Sequence, residues 1–123
     1  AHEIAFRKLQ KLEQEKIWQK DSVKEYYSQL TQIVREYLEN RYGIQALEET
    51  TDEILDMLQQ VEMTQEVRDL MRDLLNLSDL VKFAKEEPEL HELTKSLNEA
   101  RDFVKETREQ EEETEEIEGG EDA

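Results

Sequence analysis

The two histidines, His2 and His91, are the side chains best suited to bind a metal ion or to move protons near neutral pH. Each is followed by glutamate, as in the His-Glu-x-x-His helix of zinc proteases, where a second histidine four residues on completes the site. Those positions hold Phe6 and Lys95. A di-iron bundle needs glutamate three residues before histidine, where Pro88 precedes His91. We therefore expect surface or helix-end histidines and no metal ligand.

Carboxylates are the other candidates for chemistry, because paired acids with divergent pKa values carry out acid-base catalysis. Glu48, Glu49, Asp52 and Glu53 cluster at a predicted helix start, where negative charge stabilises the helix dipole. The chain has no cysteine, no Gly-x-Ser-x-Gly and no glycine-rich phosphate loop. We predict no catalytic residue and no cofactor, and a metal-dependent or hydrolytic enzyme is the alternative from another class.

Five aromatic residues could form a binding face: Trp18, Tyr26, Tyr27, Tyr37 and Tyr42. The four tyrosines fall on one apolar helical stripe, and that spacing favours a place in the core. Trp18 lies off the stripe and is expected to cover a corner.

The charge of the chain excludes several partners. There are 33 acidic and 16 basic residues, a net charge of −17. Nucleic acid requires clustered lysine and arginine, which are absent, and an anionic membrane surface is disfavoured for the same reason. Residues 106–123 hold ten acidic residues and one basic residue. That segment is predicted to be a largely disordered acidic tail, because it has little apolar surface to bury.

The remaining residues, 1–105, are predicted to form one compact all-α bundle of five or six helices. Apolar residues recur at three- and four-residue steps, and one proline and three glycines leave few breaks. The predicted caps of helix starts are Ser22 with Glu25, Thr50 with Glu53, Thr64, and Ser78. Gly43 is expected to end the long tyrosine-bearing helix in a left-handed conformation. Pro88 is expected in the first turn of the last helix.

The stretch "SDLVKFAKEEPE", residues 78–89, combines apolar and basic residues in an acidic chain. We predict a short separate helix whose face of Leu80, Phe83 and Ala84 enters the core between the fourth and last helices. Lys82 and Lys85 would then lie on the outer face. These two lysines are the candidate partner-binding residues, for a partner with acidic groups.

Three segments carry a family resemblance: "HEIAFRKLQKL", "KEYYSQLTQIVREYLENRYGIQALEETTDEIL" and "DLVKFAKEEPE". In order and separation they resemble a bacterial membrane-protein family associated with Bat-type (aerotolerance) operons. The resemblance covers about residues 2–105. The matched residues most typical of the family are, in the first motif, Arg35, Tyr37, Arg41, Tyr42, Gly43, Ala46, Glu48, Thr50, Thr51, Glu53 and Ile54, and in the second, Asp79, Leu80, Val81, Lys82, Phe83, Ala84, Lys85 and Pro88.

This resemblance implies a cellular location and protein partners, but it implies no catalysed reaction. It implies a helical domain of unknown function that follows a transmembrane span outside this chain, associated with the bacterial inner membrane on its cytoplasmic side. The implied protein partners are von Willebrand A domain proteins or MoxR-type ATPases. We therefore expect a non-catalytic interaction or scaffold domain. A self-assembling helical module is a further alternative.

Overall fold

The computed structural model describes residues 1–15, 23–83 and 87–108. These residues form five α-helices and one 3₁₀ turn and contain no strand, which confirms the predicted all-α class. The helices are α1 (His2–Glu15), α2 (Val23–Tyr42), α3 (Thr51–Leu58), α4 (Gln65–Lys82) and α5 (Leu90–Thr107), with the 3₁₀ turn at Ala46–Glu48. Across the described part of the chain, no helix is both long enough and apolar enough to cross a bilayer.

Several predictions fall on residues outside the described part of the chain. They concern the corner position of Trp18, the cap at Ser22, the burial of Ala84, the outward position of Lys85, and the tail from residue 109 onward.

Helix α2 lies at the centre of the bundle and packs against α1, α4, α5 and the 3₁₀ turn. Around it, α1 contacts α5, α4 contacts α5, and α3 contacts α4. Its apolar stripe explains this position, because residues at three- and four-residue steps are buried along its whole length. The buried side chains of α2 are Tyr26, Tyr27, Leu30, Thr31, Val34, Tyr37 and Leu38.

Three tyrosine hydroxyls of α2 reach α5 across the core. Tyr26 donates to the Leu93 carbonyl at 3.1 Å, Tyr27 is hydrogen-bonded to the Ser96 hydroxyl at 2.9 Å, and Tyr37 to the Thr107 hydroxyl at 2.9 Å. Burying a hydroxyl is unfavourable unless it is hydrogen-bonded, so each ring is held in one orientation. The prediction that these aromatic residues form core is confirmed for all three.

Three predicted helix boundaries that adjoin non-helical segments are confirmed. Gly43 follows α2 with φ of +72°, the left-handed conformation expected there. The Thr50 hydroxyl accepts from the Glu53 N–H and the Glu53 carboxylate accepts from the Thr50 N–H, the complete capping box of α3. Thr64 caps α4 by accepting from the Val67 N–H at 3.2 Å.

The prediction of a separate helix beginning at Ser78 is wrong. Helix α4 continues through this position, and the buried Ser78 hydroxyl donates to the Leu74 carbonyl at 2.7 Å. A serine inside a helix satisfies its hydroxyl in this way, by bonding back to the preceding turn.

The ends of α5 also differ from expectation. Glu89 is the N-cap and Leu90 the first helical residue, so Pro88 precedes the first turn instead of lying within it. At the other end α5 extends to Thr107, past the predicted boundary at residue 105. Thr107 is buried, and its carbonyl accepts a 2.7 Å hydrogen bond from Arg41 Nε. The body of the protein therefore includes Thr107.

Candidate functional site

The C-terminal end of α4 exposes two large apolar side chains. Phe83 is 73% exposed and Leu80 is 41% exposed, whereas Val81 between them is buried. Neighbouring residues of a helix point about 100° apart, so burying Val81 turns Leu80 away from the core. Phe83 lies three residues beyond Leu80, on the same side, and its N–H donates to the Asp79 carbonyl at the helix end. The prediction that Leu80 and Phe83 enter the core is wrong.

Helix continuity gives the physical reason for this error. Because α4 is not interrupted at Ser78, its buried stripe continues at the same three- and four-residue steps: Val67, Met71, Leu74, Leu75, Ser78 and Val81. A fresh helix starting at Ser78 could have any rotation about its axis, but a continuous one cannot. The spacing of Leu74, Ser78 and Val81 along one helix face was the sequence signal that could have predicted the exposure of Phe83.

A groove lies between α4 and α5 beside these side chains. One part has a volume of about 480 Å³, and its lining residues are Asp73, Asn76, Leu77, Leu80, His91, Glu92, Lys95, Ser96 and Glu99. The adjoining part, of about 380 Å³, is lined by α4 and its C-cap alone, through Asn76, Asp79, Leu80 and Phe83. Asn76 and Leu80 line both parts, so they form one surface, which we call the α4–α5 groove. Of its polar residues, the sequence patterns singled out His91, as a helix-end histidine, and Asp79, in the second resemblance motif.

Negative charge predominates in the α4–α5 groove. Four of its lining residues are carboxylates, and Lys95 is the one lysine or arginine among them. Burial raises the pKa of the Glu99 carboxyl, Lys95 partly opposes this, and Asp73 and Asp102 raise the pKa further. The groove thus joins apolar side chains to carboxylates whose charge is only partly compensated.

At the C-terminal end of α4, polar contacts join residues of the second resemblance motif to α2 and to the start of α3. Thr51 donates to the Asp79 carboxylate at 2.6 Å, and Lys82 Nζ donates to the Thr31 hydroxyl at 2.9 Å. Arg35 donates to the Glu49 carbonyl at 3.0 Å. These bonds fix α2, the start of α3 and the end of α4 relative to one another. They give the motif residues a role in assembling the fold.

Lys82, a predicted partner-binding residue, is therefore part of this cluster. Burial lowers the pKa of its ammonium, the nearby Arg35 lowers it further, and Asp79 opposes the shift. Its companion Lys85 lies outside the described residues. Binding of an acidic partner by the two lysines stays a prediction.

Two carboxyls of the acidic cluster at the start of α3 have pKa values shifted in opposite directions. Hydrogen bonding to Glu53 raises the pKa of the Glu49 carboxyl, whereas the bonds that Glu53 makes at Thr50 lower its own. The divergence follows from the capping box and a shared hydrogen bond on the surface. It explains the cluster by helix capping, as the sequence pattern indicated.

The histidines both lie at helix ends, as predicted. His2 begins α1, with its ring edge-on to that of Phe6 at 6.0 Å. His91 is in the first turn of α5, where Nδ1 is 3.3 Å from a Glu89 carboxylate oxygen. Within residues 1–15, 23–83 and 87–108, no three histidine, aspartate or glutamate side chains are grouped closely enough to hold a metal ion.

Comparisons of this chain with protein-family models, with curated proteins and with solved structures gave no match. Functional inference therefore depends on the surface described above and on the sequence resemblance.

Proposed function

We propose that this chain is a non-catalytic protein-interaction or scaffold domain that docks its partner on Leu80 and Phe83 and the adjoining α4–α5 groove. The observation that carries this proposal is the exposure of Phe83 at a helix end beside a groove. Burying a phenylalanine side chain contributes about 1.5–3 kcal/mol, which this fold leaves unused. Exposed aromatic side chains next to a concave surface are typical anchors of protein interfaces.

The paired arrangement of Leu80 and Phe83 supports docking more than exposure alone would. Single exposed apolar residues are normal on protein surfaces, and Leu47 at 42% exposed is an example here. Leu80 and Phe83 instead share one helix face and line one cavity. A partner that covers them removes both from water together.

The setting of this function comes from the Bat-type resemblance of residues 2–105. On that basis we propose that the domain belongs to a membrane-anchored bacterial protein, on the cytoplasmic side of the inner membrane. The proposed partners are a MoxR-type ATPase or a von Willebrand A domain protein.

Binding measurements with Phe83→Ser test the docking surface. Purified MoxR-type and von Willebrand A domain proteins are titrated by calorimetry into the parent chain, into Phe83→Ser and into Leu47→Ser. Loss of a central aromatic anchor typically costs 2 kcal/mol or more, so we expect affinity to fall about 30-fold or more in Phe83→Ser. Leu47→Ser matches the loss of one exposed apolar side chain and should bind like the parent. Equal binding by all three chains would reject this docking surface.

A further inference from the structure

The α4–α5 groove is long enough to hold a short helix. Asp73 on α4 and Phe83 at its C-cap are ten positions apart, which corresponds to about 15 Å at 1.5 Å per residue. That length accommodates about three turns of a partner helix. Recognition of this kind places the apolar face of an amphipathic helix in a groove between two helices.

The side chains along this length separate into a floor and a charged rim. Leu77 and Leu80 supply apolar contact along the groove, with Phe83 at its end. Asp73, Asp79, Glu92 and Glu99 supply four carboxylates against the single ammonium of Lys95. An apolar floor within an acidic rim complements an apolar face flanked by lysine or arginine, and it repels an acidic segment.

The four carboxylates differ in how far they are already compensated. Asp79 accepts a hydrogen bond from Thr51, so part of its charge is satisfied within the fold. For Glu99, burial and two neighbouring carboxylates outweigh Lys95 and keep its pKa raised. A cation placed near Glu99 would therefore gain more than one placed near a fully solvated carboxylate.

We propose that the α4–α5 groove binds a cationic amphipathic helix of a protein partner, with its apolar face on Leu77, Leu80 and Phe83 and its basic residues toward Glu92 and Glu99. This inference rests on the proposed function and adds the chemistry of the partner. It also differs in sign from the sequence-based prediction of an acidic partner at Lys82 and Lys85.

Nuclear magnetic resonance titration of the isotope-labelled full chain tests this assignment. Three synthetic peptides of about 15 residues, long enough to form a helix, serve as probes. The first is an amphipathic leucine–lysine helix, the second replaces each lysine with glutamate, and the third scrambles the first so that no apolar face remains. The scrambled peptide controls for attraction to the acidic C-terminal segment, which a net charge alone would produce.

We expect the amphipathic lysine peptide to shift the amide signals of Asn76, Leu77, Leu80, Phe83, Glu92 and Lys95, and neither control to do so. Glu92→Gln with Glu99→Gln should weaken its binding about tenfold or more, because two of the four carboxylates are removed. Asp56→Asn with Glu62→Gln removes equal charge at exposed positions outside the groove and should leave affinity unchanged.

The results that would overturn the assignment are distinct from those that would overturn the proposed function. Signal changes confined to residues 109–123, an unchanged affinity in Glu92→Gln with Glu99→Gln, or preferential binding of the glutamate peptide would reject a cationic helix. If Phe83→Ser still weakens binding of the purified partner in the calorimetric titration, docking on this surface stands and only the partner's chemistry is wrong. If Phe83→Ser changes neither measurement, both proposals fail.

Discussion

Phe83 and Phe103 are the same side chain in opposite environments. Phe103 is fully buried, and its ring packs edge-on against Tyr37 with 6.3 Å between ring centroids, whereas Phe83 is mostly in solvent. Hydrophobic residue type alone does not distinguish them. The distinction comes from the rotation of each helix about its axis, which depends on residues several turns away.

Truncating each phenylalanine should therefore have different effects on stability. Phe103→Ala leaves a cavity in the core and should lower the free energy of unfolding by about 3–5 kcal/mol. Phe83→Ala removes a solvent-exposed ring and should change it by no more than about 0.5 kcal/mol. Urea denaturation of the two variants and the parent provides the measurement. A large loss in Phe83→Ala would mean that the ring is covered in solution.

Two buried tyrosines, Tyr26 and Tyr27, and the partly buried Tyr42 predict a loss of stability at alkaline pH. Burial raises the pKa of Tyr26, Tyr27 and Tyr42 above the usual value of about 10. A raised pKa in the folded state contributes stability that is complete below the unfolded pKa and is lost as pH rises through the folded pKa.

We therefore expect the thermal midpoint to fall as pH rises above about 10, with phenolate absorbance appearing together with unfolding. Tyr27→Phe, which removes one of the shifted hydroxyls, should show a shallower decline relative to its own midpoint at neutral pH. Phenolate absorbance from all four tyrosines in a chain that still melts cooperatively would contradict this expectation.

For the individual helices, the local sequence correctly predicted two helix starts that follow non-helical segments. Thr50 and Thr64 both cap helices after non-helical segments. Ser78 has the same local chemistry, but helix α4 continues through it and the serine is buried. Glycine and proline do not make the difference, because none lies between Gly43 and Thr64 either. A capping residue therefore specifies a helix start only where the residues before it are not already helical.

Removing the Thr50 cap tests the contribution of local sequence to α3. Thr50→Ala leaves the Glu53 N–H without its acceptor and should cost about 1 kcal/mol of stability. Thr94→Ala is the matched control, because Thr94 is exposed within α5, where alanine is the better helix former. The two variants are compared by thermal unfolding. A Thr50→Ala variant at least as stable as Thr94→Ala would show that the Thr50 hydroxyl contributes nothing to the stability of α3.

At the scale of the whole molecule, the all-α class was predictable and the packing partners were not. Few breakers and helical spacing of apolar residues are local properties. The bonds that set α2 against α5 join residues as far apart as Tyr37 and Thr107, and spacing along the chain does not indicate such pairs. The same limit applies to the α4–α5 groove, whose walls come from two helices. The acidic residues of the groove could be read from the sequence, but the sequence did not indicate that they form one surface.

Truncation at the C-terminus tests where the folded body ends. A chain that stops after Arg108 keeps Thr107 and should unfold at the same temperature as the full chain, since residues 109–123 carry little apolar surface. A chain that stops after Glu106 loses the Tyr37 and Arg41 contacts to Thr107 and should lose about 1–3 kcal/mol. Equal thermal midpoints for all three chains would show that Thr107 does not contribute to the stability of the folded domain.

Photo-crosslinking from position 83 can show directly whether Phe83 and Leu80 form the docking surface of an interaction domain. A photoreactive phenylalanine analogue is incorporated at position 83, or at the control position Leu47, which is also exposed, in bacterial cells that make the whole protein. We expect position 83 to crosslink to one MoxR-type or von Willebrand A domain protein, identified by mass spectrometry, and Leu80→Ser to abolish the product. A product from position 47 that forms equally well in Leu80→Ser, with none from position 83, would contradict this expectation.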